Sequence, residues 1–445
     1  MEINAKLDVD VVALQAEDEV TCLLTLTAPT PPQTADRPGE TLIVVVDRSG
    51  SMQGEPLQSV RTALHSLADR LKPQDTFGVV TFDNEAVVQV PARTMVDHHL
   101  PTVHSLIEAI HAGGTTDLSA GYLLGLSEAR RHLSDTGASV ILLSDGHANQ
   151  GITDPVQLGG VASQARGETI TTTTIGIGTG YDESLLAELA THGSGSHRFA
   201  YTDDDAIAVV SEEAGDLLNK AILNAVARIR PTDEGLIERI GTWQMLPRWV
   251  ETDADGAKML VIALGDLYAG EQREVLLRID VPAIAALGHH HLADIAIEYV
   301  ALPELVQQTI TWPLAVNVVP GDEASGRIPD PTVVTARLLA ETTEAKRQAT
   351  EALGIDDSDT AASLLDAQRS RLQDIIVRME LNTPDDVALR DRLSEEAEQL
   401  YKLAEGARDR EAHMSRKSLM EDLNMEIAGK SNLERRQRSR SKRDF

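Results

Sequence analysis

The sequence predicts an α/β domain with a mostly parallel sheet. That domain is inserted into a β-sandwich split in sequence and is followed by a helical region. Three observations lead there. Between residues 38 and 221, continuous apolar runs alternate with amphipathic helical patterns, as in a sheet covered by helices on both faces. Residues 1–37 and 222–320 instead read as short alternating strands separated by turn residues, the texture of a sandwich. From residue 321 to 429 the apolar spacing becomes helical.

In the first segment Ile3, Ala5, Leu7 and Val9, then Val20, Cys22, Leu24 and Leu26, repeat at period two and predict two strands. Two strands do not stand alone, so partners are expected in 222–320. The run 42–46 is apolar throughout and predicts a strand buried on both faces. A helix follows on Leu57, Val60, Leu64, Leu67 and Leu71. Strands are expected at 77–82, 86–90, 140–143, 170–177 and 197–201, and helices around 96–111, 118–133, 155–166 and 182–192. A last α/β helix opens at Asp203, with apolar positions at Ile207, Val210, Ala214, Leu217, Leu218, Ile222 and Val226. Sandwich strands follow at 227–230, 258–263, 274–279, 292–299 and 308–312. Helices are then read on Val334, Leu338, Leu339, Ala345 and Ala349, stopped by Gly354, and on Leu364, Leu365, Leu372, Ile375, Ile376 and Met379. Thr383 as cap, Pro384 and two aspartates open a third. Residues 430–445 carry seven basic side chains against two acidic ones and read as a disordered basic tail.

The 445 residues suffice for about three domains. The formal net charge of −30 disfavours nonspecific binding to nucleic acid and broad contact with an anionic membrane. A single cysteine, Cys22, makes no internal disulfide and reads as an inert thiol. The N-terminus lacks a basic stretch followed by an apolar one, and no run approaches 18 apolar residues. These features lead to the expectation of a cytoplasmic protein with no membrane span.

The chemistry gathers at strand ends. Asp47, Ser49 and Ser51 alternate along a loop directly after the first buried strand. Carboxyl ends of parallel strands are where such sheets place their binding crevices. Thr116 lies in a Gly-Gly-Thr-Thr-Asp loop opening a helix, and Asp145 follows another apolar strand. Two carboxylates and three hydroxyls, without His or Cys, suit a hard divalent cation, Mg²⁺ or Mn²⁺ before Zn²⁺.

This set resembles the von Willebrand factor type A family and its metal-ion-dependent adhesion site, an Asp-x-Ser-x-Ser motif with a later Thr and Asp. The resemblance covers about residues 38–221 and implies a Rossmann-like domain. Thr116 is preferred over Thr115 because the family's Thr stands five residues before a helix glycine, here Gly121. Carried over, the resemblance implies Ser49, Ser51 and Thr116 as direct ligands, with Asp47 and Asp145 acting directly or through water. The Gly-rich stretch from Ile175 to Asp182 also looks like this family. The implied function is a protein-binding module whose metal accepts a carboxylate from a partner protein as its sixth ligand. Family members of this type often work beside other cytoplasmic machinery, including AAA+ ATPase systems.

Two other functions compete. A metal-dependent hydrolase needs a base near the metal, and His147 is the one candidate beside Asp145. A scaffold acting through its helical region would leave the metal structural. Weaker signals receive plain readings. The glycines at 176–180 lack the third position of a dinucleotide motif and read as a loop, and residues 50–54 are no nucleophile elbow. His289, His290 and His291 read as a polar turn, and the apolar stripe from Leu389 to Ile427 as helix packing.

Overall fold

The structure is a computed structural model. It describes residues 1–30, 37–145, 148–178, 181–200, 203–243, 246, 248–380 and 382–408, with 416, 419, 420 and 423. The 430–445 tail and His147 lie outside the described residues. The chain divides into two compact units, one chiefly Met1–Thr30 with Ala221–Leu419, the other chiefly Pro31–Lys220.

The chain opens with β1 (Glu2–Leu7), β2 (Val11–Ala13) and β3 (Asp18–Thr27), all of the first unit. The second unit then runs β4 (Thr41–Asp47), α1 (Glu55–Arg70), β5 (Thr76–Phe82), β6 (Ala86–Thr94), α2 (Leu100–Glu108), α3 (Leu118–Arg131) and β7 (Ala138–Ser144). It continues through α4 (Pro155–Gly167), β8 (Ile170–Ile177), α5 (Glu183–His192), β9 (Ser194–Ala200) and α6 (Asp203–Leu217). Its strand order is β6-β5-β4-β7-β8-β9. All neighbours are parallel except the edge pair β5 and β6. Every residue of β4, β5, β7 and β8 is buried, which is why these strands are apolar or Thr-rich without alternation. The threonines of β8 are satisfied inside: Thr174 Oγ1 donates to Leu186 O at 2.8 Å, and Thr172 meets the Tyr122 hydroxyl at 2.8 Å. Helix α3 lies tight on the sheet because Gly121 has no side chain. A Cβ there would stand 2.4 Å from the Phe82 ring.

The first unit resumes with β10 (Lys220–Pro231), β11 (Ile240–Thr242), β12 (Arg248–Thr252), β13 (Lys258–Tyr268), β14 (Gln272–Val281), β15 (Gly288–Ala301) and β16 (Val306–Val319). Helices α7 (Gly321–Ser325), α8 (Pro331–Gly354), α9 (Ser358–Arg378) and α10 (Pro384–Arg408) follow. The strands form two sheets, ordered β1-β3-β14-β11 and β12-β13-β10-β15-β16-β2. One core joins them: Val20, Cys22, Leu24 and Leu26 of β3 cluster with Ile229, Ile262, Ile297 and Val316 of the other sheet. The N-terminal strands thus find their partners late in the chain, β3 pairing with β14 and β2 with β16. Burial, then the charge of Asp8, push the Cys22 thiol up to about 12, so it stays a thiol. The outer side of β3 and β14 offers Leu23 and Leu276 to Val333, Ala336 and Ala340 of α8. Leu338, Leu365, Leu372, Leu393 and Leu400 then join α8, α9 and α10 in a core of their own. Among the described residues no helix is long and apolar enough to cross a membrane.

Two local expectations are corrected. Helix α6 ends at Leu217, and Ile222 and Val226 lie in β10. Leu218 N donates to Ala214 O at 3.0 Å, the Asn219 side chain takes Gly215 O at 2.7 Å, and the chain then pairs with β15. Spacing by four fits both periods here, and the strand ladder decides. His289, His290 and His291 form no turn; they pair within β15 opposite Asn317, Val316 and Ala315. The strand expected at 170–177 is β8, so within the glycine stretch Gly176 and Ile177 belong to it, while 179 and 180 lie outside the described residues.

One clamp yields a first expected result. Arg327, just after α7, donates through Nη1 to Val11 O at 2.9 Å and grips both carboxylate oxygens of Asp18 on β3, Nη2 to Oδ1 at 2.8 Å. That grip holds the Asp18 carboxyl below its usual range. Arg327→Met is expected to lower stability by about 1–2 kcal/mol, allowing for partial solvent screening. A depressed carboxyl stabilises the fold above its unfolded pKa of about 3.9 and loses that contribution as pH falls through the folded value. The deficit of the variant should therefore be full near neutral pH and shrink in strong acid. Thermal melts across pH check this, and an equal deficit at every pH would contradict it.

Candidate metal centre

The five predicted residues stand on three loops at the carboxyl ends of β4 and β7 and the start of α3. Strands β4 and β7 are level, Val46 pairing with Leu143, so Asp47 and Ser144 end them side by side. The Asp47 carboxylate is fully buried. It accepts from Ser49 N at 2.8 Å and from Ser144 Oγ at 2.6 Å. Beyond it the chain makes a single 3-10 turn at Gly50–Met52 that returns Ser51 beside Ser49. The Ser49 and Ser51 hydroxyls lie 3.0 Å apart, and Ser51 Oγ donates to Asp145 Oδ1 at 2.7 Å. Asp47 and Ser49 are buried, Asp145 is half-buried and Ser51 exposed, so the cluster opens to solvent on the Ser51 side.

The loop that carries Thr116 is tied to the first motif by its backbone. Gly113 N donates to Arg48 O at 2.8 Å and Gly50 N to Gly114 O at 3.2 Å, which lace its loop to the first motif. Asp117 N donates to Asp83 O at 2.7 Å, and Asn149 N to Thr116 O at 3.1 Å. Asn149 Oδ1 in turn accepts from Thr116 N at 3.1 Å. The loop passes close to β5 at Gly114, whose φ is +69°, and a Cβ there would stand 2.4 Å from Asn84 Oδ1. Any larger residue would both strain the backbone and push the loop away.

The electrostatics fit a cation. Burial raises the Asp47 carboxyl, with the neighbouring charge of Asp83 adding to it. Burial pushes Asp145 up to about 6; the Ser51 hydrogen bond lowers it and the charge of Asp47 raises it. Among the described residues neither carboxylate has a lysine or arginine partner. Arg48, the nearest basic residue in sequence, pairs instead with Asp83 at 3.1 Å. Two carboxylates that meet only hydroxyl and amide donors among the described residues carry uncompensated charge. A hard divalent cation is the group that such an all-oxygen set suits. Asp47, Ser49, Ser51, Thr116 and Asp145 would hold it.

Sequence reasoning missed Ser144, Asn149, Arg48 and Asp83. Ser144 carries a faint signal, since a polar residue ending an apolar strand at a crevice must face a partner. Asn149 has none, because its role depends on how the loop after β7 folds back on Thr116.

The chain matches the family described as von Willebrand factor type A domain over residues 41–213. A relative from Synechocystis sp., the uncharacterized protein sll0103, is 26% identical over 261 residues, covering 58% of this chain and 61% of that protein. The chain thus spans about three fifths of that relative's length. Two solved structures share the architecture. The von Willebrand factor type A protein from Catenulispora acidiphila is similar at TM-score 0.68 and 16% identity, over 86% of this chain and 91% of that one. The ArnB paralog VWA2 from Sulfolobus acidocaldarius is similar at TM-score 0.63 and 15% identity, over 96% and 98%. At such identities the structural likeness speaks for the fold. Family match, sheet order and strand-end loops agree: the Rossmann-like part of this chain, residues 41–213, is a von Willebrand factor type A domain.

Proposed function

We propose that this chain is a metal-dependent protein-binding module, with Mg²⁺ or Mn²⁺ at Asp47, Ser49, Ser51, Thr116 and Asp145. The carrying observation is the pair of carboxylates that meet no lysine or arginine among the described residues, beside the Ser49 and Ser51 hydroxyls and open to solvent at Ser51. A bound divalent cation would supply an electrophilic position for one acidic side chain of a partner protein. The chain's own residues do the rest. Ser144 and Ser49 N hold Asp47 in place, and Ser51 holds Asp145. The laced loops keep the hydroxyls together before any partner arrives. The fold alone would not justify this reading; the side chains support it.

The test is capture on the immobilised full chain, in Mg²⁺ and in EDTA, repeated with Asp145→Ala. A partner held in Mg²⁺, released by EDTA and absent from the variant is the expected result. Partners retained equally in EDTA would overturn the reading. Phosphatase, esterase and nuclease substrates with added Mg²⁺ are expected to show no turnover. Activity lost on Ser49→Ala would replace the binding module by a hydrolase.

A further inference from the structure

Helices α1 and α2 bring His65 and His104 together, 39 residues apart in sequence. Their Nδ1 atoms lie 3.0 Å apart, and their ring centres 4.6 Å apart with planes tilted by 35°. The other nitrogen of each ring meets a carboxylate: His65 Nε2 stands 2.8 Å from Glu108 Oε1, and His104 Nε2 stands 3.0 Å from Asp69 Oδ1. An ionised carboxylate only accepts hydrogen bonds, so each Nε2 carries the hydrogen. In a neutral imidazole the opposite nitrogen is then a bare acceptor. Two lone pairs therefore face each other at hydrogen-bond distance, which is repulsive unless a cation lies between them.

Three features select the cation. The carboxylate–imidazole arrangement on each Nε2 is the outer support that metal-bound histidines use to fix tautomer and ring orientation. The ring centres stand farther apart than the nitrogens, so the rings splay. That splay turns the Nδ1 edges of both rings toward the space between them, where a metal bound at the Zn–N distance of about 2.0–2.1 Å would sit. The pair is also accessible, with side-chain exposures of 21% and 32%. Arg61 is the nearby fixed positive charge. Its Nη1 lies 3.8 Å from Glu108 Oε2, and its Nη2 is held by Ile110 O at 2.6 Å.

We propose that His65 and His104 form a bis-imidazole site for a divalent transition metal of the zinc class. Nitrogen donors separate it chemically from the all-oxygen cluster, so the two sites take different metals. Among the described residues no third His, Cys, Asp or Glu converges there, so water fills the remaining positions and binding is that of a two-ligand chelate.

The experiment uses the full chain without a histidine tag, in excess Mg²⁺ so that the oxygen site is filled. Zn²⁺ is titrated against a chromophoric chelator for the wild type, His65→Gln, His104→Gln and Asp47→Ala. One Zn²⁺ equivalent is expected in the wild type and in Asp47→Ala. Each glutamine variant should lose about tenfold or more in affinity for it, and Asp69→Asn about tenfold. Imidazole nitrogen NMR provides the second readout, in which Zn²⁺ should shift Nδ1 of both residues together. Wild-type Zn²⁺ affinity retained in both glutamine variants would overturn the proposal. So would a wild type in which the two rings share one titrating proton and ignore Zn²⁺.

Discussion

Asp47→Asn is expected to leave the chain folded and to lose more than about a hundredfold in Mg²⁺ affinity, since even the outer partners of metal ligands are worth 10–100-fold. The amide matches the carboxylate in shape. It can still accept from Ser49 N and meet the Ser144 hydroxyl. What it loses is the charge, which burial makes costly in the metal-free protein. In EDTA the variant should therefore melt no lower than the wild type, and Mg²⁺ should raise the melting temperature of the wild type alone. Asp145 adds a pH signature. Its metal-free carboxyl sits near 6, raised chiefly by burial. A raised carboxyl favours the fold below its unfolded pKa, and that contribution is lost as pH rises through the folded value. Metal-free stability should thus fall as pH climbs from about 4 to 6, and Mg²⁺ should restore it above that range. Protons compete with the metal for the same oxygens, so Mg²⁺ affinity should drop about tenfold between about pH 7 and pH 5. Calorimetry at the two pH values decides, and equal affinity in Asp47→Asn and wild type would remove the metal site.

Lys346→Met is expected to cost about 3–5 kcal/mol, on the order of 10 °C in Tm. The ammonium of Lys346 on α8 lies 2.6 Å from the Glu396 carboxylate on α10, and both side chains are almost wholly buried. They sit in the helical part whose apolar core includes Leu338, Ala349, Leu393 and Leu400. Removing the ammonium takes this ion pair from a carboxylate that stays buried, which is what makes the single substitution severe. Replacing both, as Lys346→Met with Glu396→Leu, removes the desolvation penalty together with the attraction. The double variant should melt near or above the wild type. Denaturant melts of the two single variants and the double variant test the pair as a cycle. A double variant as unstable as the sum of the singles would show that the two side chains act independently.

The sequence by itself determined the order of elements, because burial leaves a period. Strand β4 is buried on both faces and is apolar without a break from Leu42 to Val46, whereas β3 gives Val20, Cys22, Leu24 and Leu26 at period two to the sandwich core. It also exposed the oxygen cluster, since Asp47 and Asp145 follow apolar strands directly and strand ends are where crevices form. The cap at Thr383 was legible for the same local reason: Asp386 N donates to Thr383 Oγ1 at 3.1 Å, and Thr383 N to Asp386 Oδ2 at 2.8 Å. Only the tertiary structure decided what depends on packing between distant elements. The end of α6 was misjudged because Ile222 fits a helical and a strand period alike, and the ladder with β15 settles it. Lys346 carries a charge that predicts exposure, yet Glu396 of another helix makes its burial tolerable. His65 and His104 carry no shared motif, because the crossing of α1 and α2, not the spacing along the chain, sets their nitrogens face to face. Periodicity records which face of an element is buried, but not which element covers it.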